Sequence, residues 1–68
     1  MNLSPKRLIK LLEEHGYVYK RTKGFHQLFY NQNSIRTVIV PVHGGKDLKK
    51  GTFLAILKQA GIDKNQSE

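Results

Sequence analysis

Three histidines, His15, His26 and His43, are the side chains of this sequence best suited to proton transfer. An unperturbed imidazole titrates near pH ~6.5, so at neutral pH it can both take and give a proton. His26 comes just after Lys20, Arg21 and Lys23. Beside cations that hold a phosphodiester, such an imidazole could deprotonate a ribose 2′-hydroxyl or protonate a leaving 5′-oxygen. A half-buried strand histidine bonded to a neighbour is the commoner fate of a residue so placed. His43 precedes Gly44-Gly45, a pair that lets backbone approach a ligand closely and could leave N–H groups free for an anion. The same pair reads equally as a flexible turn. Lys46, Lys49 and Lys50 follow at the expected start of a helix, where the dipole favours phosphate. His15 falls in the last turn of a helix, where a cation complements the dipole, and that structural role suffices for it.

Other chemistries find little support. The chain has no cysteine, so it has no disulfide framework, thiolate zinc site or thiol nucleophile. That fits a reducing compartment, and a cytoplasmic location is expected. Asp and Glu total five, and no paired-acid, HxH or HxxxH spacing appears, so no metal or other cofactor is expected. Hydrolysis here should therefore be metal-free. Ser4 has a capping role, while Ser34 and Ser67 fall in a turn and a tail, which leaves no serine nucleophile.

The elements that must position these groups follow from pattern. Ser4-Pro5 is a helix start, with Ser as N-cap and Pro at the first helical position. Leu8, Leu11 and Leu12 recur at helical spacing with Ile9 beside them, and Gly16 stands where a C-terminal cap needs positive φ. Tyr17 to Lys23 reads as a strand, rich in aromatic and β-branched residues. After a Lys23-Gly24 turn, His26 to Tyr30 is a second strand, with His26, Leu28 and Tyr30 on one face and Gln27 and Phe29 on the other. Asn31 to Ser34 is a polar turn. Ile35 to Val40 is the third strand, ended by Pro41, which has no N–H to donate. Short connections favour an antiparallel meander. A second helix begins between Lys49 and Thr52. It carries Phe53, Ile56, Leu57 and Ala60 as its apolar stripe, Gly61 as its cap, and Ile62 folding back. The expected fold is a two-layer α+β domain of order α-β-β-β-α with a three-stranded antiparallel sheet. Residues 1–63 form the single domain, and 64–68 are a polar tail expected to fray. Phe29 and Phe53 read as core. Tyr17, Tyr19 and Tyr30 lie on strands and could stack on unpaired bases or serve as sheet packing.

Charge narrows the partner. The 68 residues carry 12 Lys+Arg against 5 Asp+Glu, a net +7. Residues 1–23 contribute six basic and two acidic side chains, residues 24–45 only Arg36, and residues 46–68 five basic and three acidic. The basic groups thus bracket a nearly neutral middle, in two clusters: Lys20, Arg21, Lys23 and Lys46, Lys49, Lys50. Solubility explains part of this. A phosphate-facing surface explains it better. A chain this short buries only about 60% of its unfolded surface, which leaves no room for a deep cleft between domains. No apolar run approaches the ~18 residues of a membrane span, the N-terminus lacks a signal-peptide core, and no membrane partner is expected.

The run Lys23-Gly24-Phe25-His26 with Leu28 and Tyr30, then Val38 to Leu48, then Lys50-Gly51-Thr52 and Ile56 to Ile62, closely resembles the HicA toxins. These are small mRNA interferases of bacterial and archaeal type II toxin–antitoxin modules. The resemblance extends from Ser4 to Ile62, and the VPVHGGKDLKKGT and ILKQAGI stretches are its specific parts. It implies a fold similar to a double-stranded RNA-binding domain, translation-independent cleavage of mRNA, and His26 as the catalytic residue of the KGxH motif. It also implies a HicB-like antitoxin that forms a hetero-oligomer and covers the active surface. DNA would be reached only indirectly, through that antitoxin. His43 fits the family's second motif and is expected to shape the loop. A small residue commonly precedes the motif histidine in such proteins; here it is Phe25, a ring that could narrow access or stack on a base.

The reading is thus a metal-independent endoribonuclease toxin. Lys20, Arg21, Lys23, Lys46, Lys49 and Lys50 would hold phosphates, and His26 would act as general acid or base. The alternative is a non-catalytic double-stranded RNA-binding module that uses the Lys46, Lys49, Lys50 helix start. A third is a pure protein-interaction partner with its basic face turned to an acidic antitoxin.

Overall fold

A computed structural model describes residues 2–63. The polar tail expected over 64–68 lies outside the described residues. The element order is α1 (Pro5–Glu14), β1 (Val18–Lys23), β2 (His26–Asn31), β3 (Arg36–Pro41) and α2 (Lys50–Gln59). The three strands form one antiparallel sheet in the order β1-β2-β3, so the expected α-β-β-β-α arrangement is the observed one.

Local sequence explains most boundaries. Ser4 caps α1: its Oγ accepts the Arg7 N–H at 3.1 Å, and Pro5 occupies the first helical position, where no N–H is needed. Gly16 closes the helix at φ +89°, a conformation that disfavours any residue with a Cβ. The reversal sends the Tyr17 N–H back to the Leu12 carbonyl at 3.0 Å. Tyr17 therefore belongs to the helix cap rather than to β1. Its ring is only 2% exposed, and its hydroxyl donates to the Ala60 carbonyl at 3.0 Å. The expectation that Tyr17 lies on a strand and could stack on a base is corrected, because the ring is core.

Both helices pack on the sheet face that carries Phe29, Val38 and Val40. Leu8, Leu12, Phe53 and Leu57 are fully buried there, as the two helical stripes require. Truncating any of them to Ala costs about 2–5 kcal/mol. Ile62 returns to this core through its N–H to the Leu57 carbonyl. Leu48 joins it too, tied by its N–H to the Leu3 carbonyl. Every residue of β1 is exposed, so the helices shelter β2 and β3 and leave β1 bare.

Two strand ends differ from expectation. Pro41 does not stop the ladder before itself; it is the last residue of β3, opposite His26, and the next N–H, of Val42, bonds the Phe25 carbonyl at 2.7 Å. A proline is tolerated at such a terminal edge position. Ile35 is not in β3. It sits in the turn at φ +56°, a left-handed conformation unusual for a β-branched residue, and is 78% exposed. Asn31 at the end of β2 organises that turn. Its Oδ1 accepts the N–H groups of Asn33 and Ser34, and its Nδ2 donates to the His15 carbonyl at 2.9 Å.

Candidate functional site

In an antiparallel pair, residues directly opposite one another project from the same face. Lys23 pairs with His26, and His26 with Pro41, which makes one row across all three strands. Arg21, Leu28 and Ile39 make the next row, and Val18, Tyr30 and Thr37 the third. The buried side chains of Phe29, Val38 and Val40 belong to the other face. These three rows therefore lie on the face that the helices leave uncovered. His26, Leu28 and Tyr30 share a face as strand alternation requires.

The ladder slips between Tyr19 and Arg21. A bulge of this kind sets two residues against one and re-aims side chains. It brings Lys20 onto the open face along with Arg21, and Lys20 Nζ stands 5.8 Å from the centre of the Tyr30 ring. Tyr19 turns the other way, packing edge-on against Phe29 at 5.8 Å.

At the centre of the face is a shallow groove of about 190 Å³, lined by Arg21, Lys23, His26, Leu28 and Ile39. Its lining joins two apolar side chains to two basic ones and one exposed imidazole. Such a groove suits a phosphodiester: the cations hold the non-bridging oxygens while the imidazole takes or gives a proton.

The second basic cluster joins the first only in part. Pro41, beside His26 in its row, also lines a larger hollow of about 500 Å³ with His43, Lys46, Lys49 and Thr52. Lys23 thus flanks His26 on one side, with Lys46 and Lys49 beyond Pro41 on the other. Lys50, the first residue of α2, lines neither space. Lys20 stands two rows away from His26, over Tyr30.

Of the two readings of Gly44-Gly45, the turn is the one that the Gly45 and Lys46 amides fit. The N–H groups of Gly45 and Lys46 both bond the His43 carbonyl at 3.1 Å, so they close the turn on itself. His43 instead lies against Phe25, ring centres 4.7 Å apart and planes 31° apart. That pairing supports the structural role expected of His43. The Val42 N–H bond to the Phe25 carbonyl sets residues 25 and 43 one step from register, a contact that no spacing in the sequence announces. His15 lies at the other end of β2 from His26, with its Nδ1 2.9 Å from the Leu11 carbonyl.

Among the described residues, no group of three or more His, Asp and Glu side chains is placed to hold a metal ion. No described helix is long and apolar enough to cross a membrane.

Compared with models of protein families, residues 5–62 match the family described as HicA toxin of bacterial toxin-antitoxin. No curated protein matches the chain.

Proposed function

The chain belongs to the HicA toxin family, whose members work in partnership with an antitoxin, and from that premise we propose that it is an mRNA endoribonuclease acting through His26. The observation that carries this reading is the Lys23–His26–Pro41 row, with Arg21 beside it, on the uncovered face of the sheet. It puts an exposed imidazole next to two cations on a surface wide enough for a strand of RNA.

The reaction follows from those groups. Arg21 and Lys23 hold the scissile phosphate and offset its charge. His26 accepts the proton of the ribose 2′-hydroxyl as the 2′-oxygen bonds to phosphorus. The bond to the 5′-oxygen breaks, and that oxygen takes a proton from the imidazolium or from water. The products are a 2′,3′-cyclic phosphate and a free 5′-hydroxyl. DNA lacks the attacking group, so RNA is the substrate. One positioned acid–base group contributes about 10²- to 10⁴-fold in rate, so the enzyme is slow for a nuclease.

A HicB-like antitoxin inhibits by covering the same face in a hetero-oligomer. An acidic partner surface would answer Lys20, Arg21 and Lys23 and exclude RNA by occupying the groove. Incubating the purified protein with end-labelled mRNA tests the reading. Fragments ending in 2′,3′-cyclic phosphate, lost on adding antitoxin, are the expected result. Intact RNA at saturating protein would instead favour the non-catalytic double-stranded RNA reader built on Lys46, Lys49 and Lys50.

A further inference from the structure

We propose that Phe25, backed by the His43 ring, is a stacking platform for one unpaired base of the RNA, next to the phosphate held at His26. The inference rests on the ribonuclease reading and adds the kind of nucleotide the site accepts.

Phe25 is 64% exposed, so its ring adds little to the core. It is nonetheless held in place. Its carbonyl accepts the Val42 N–H at 2.7 Å, and its ring rests on the His43 imidazole at 4.7 Å. The Lys23-Gly24 turn, with Gly24 at φ +59°, presents it at the tip of the β1–β2 hairpin. A large aromatic ring fixed by a neighbour and still mostly open to solvent is what base stacking needs. Every base has a π face, so such a platform binds without selecting sequence.

Its position relates it to cleavage. Phe25 adjoins His26 in the chain, so their Cα atoms are about 3.8 Å apart. RNA whose phosphate lies in the His26 groove can therefore set a neighbouring base on Phe25 at the hairpin tip. Cations flank this end of the sheet: Lys23 on the hairpin, and Lys46 and Lys49, with Asp47 among them, in the hollow that His43 also lines. A base held in an A-form duplex is already stacked between its neighbours and is not free to stack on Phe25 as well. The platform thus selects single-stranded or looped RNA.

The test uses a short single-stranded 2′-O-methyl RNA carrying 2-aminopurine, which has no free 2′-hydroxyl and cannot be cleaved by this route. Binding is followed by anisotropy and stacking by quenching of the fluorescent base. The wild type should bind and quench. Phe25→Ala should bind about tenfold or more weakly and lose the quench, with an unchanged salt slope because no charge is removed. Phe25→Trp should retain both signals, and Phe25→Leu should behave like Phe25→Ala. For His43, which positions the ring, His43→Phe should keep the quench and His43→Ala should reduce it. Equal binding and quenching by wild type and Phe25→Ala would overturn the platform and leave the His26 chemistry standing. Failure of the wild type to bind the single strand at all would overturn both.

Discussion

Lys23 and His26 stand directly opposite one another across the β1–β2 ladder, so the ammonium and the imidazole project from the same uncovered face. A phosphate that pairs with Lys23 is thereby brought beside the imidazole without any cleft. On the proposed reading, an open sheet surface takes the place of an enclosed site.

The cations should differ in importance according to their distance from the row. Arg21→Gln and Lys23→Gln, which alter the walls of the His26 groove, should each weaken RNA binding and lower the salt slope by about 0.7 per lost phosphate contact. Lys50→Gln should change binding much less, because Lys50 lines neither space. Filter binding over a salt series measures this, and equal effects from all three would contradict the geometry.

Cleavage should persist in excess EDTA. The His26 groove is lined by an imidazole, two cations and two apolar side chains and by no carboxylate, while Glu13 and Glu14 lie at the end of α1 and Asp47 lines the neighbouring hollow. Loss of activity on chelation, restored by a divalent ion, would mean that a metal carries part of the reaction.

Asn31→Ala should destabilise the fold by about 1–3 kcal/mol, since the side chain is 7% exposed and bonds three backbone groups. In a domain of this size each kcal/mol lowers Tm by roughly 4–8 °C. Thermal unfolding by circular dichroism reads it. An unchanged Tm would show that water replaces Asn31 at no cost.

Ile35→Asn should stabilise the protein by about 0.5–1 kcal/mol. A β-branched residue at φ +56° is strained, whereas Asn tolerates this conformation, and the ring-free side chain of Ile35 is too exposed to contribute much burial. Urea unfolding checks this, and a lower midpoint would show that Ile35 contributes packing that outweighs its strain.

The core and the make-up of the open sheet face were both legible in the sequence because both depend on period. Leu8, Leu11 and Leu12 and then Phe53, Ile56, Leu57 and Ala60 repeat at helical spacing, and all seven are buried. His26, Leu28 and Tyr30 alternate at strand spacing and share the open face. What pattern did not reveal depends on single backbone conformations. Gly16 reverses the chain and moves Tyr17 from a strand-like run into the core. A bulge at Tyr19/Arg21 puts Lys20 and Arg21 on one face. At Gly44-Gly45 the sequence leaves a turn and an anion-binding loop equally open, and the bonds of the Gly45 and Lys46 amides to the His43 carbonyl decide for the turn. Leu48, an isolated apolar residue in a loop, has no period to announce its burial.

The central claim is that the His26 imidazole performs the cleavage, and His26→Ala tests it most directly. His26 is exposed, so the substitution should leave stability within about 0.5 kcal/mol and antitoxin binding intact. Single-turnover cleavage of a labelled RNA at saturating enzyme should fall by about 10²- to 10⁴-fold, with RNA affinity little changed. Cleavage by folded His26→Ala at the wild-type rate would contradict the account.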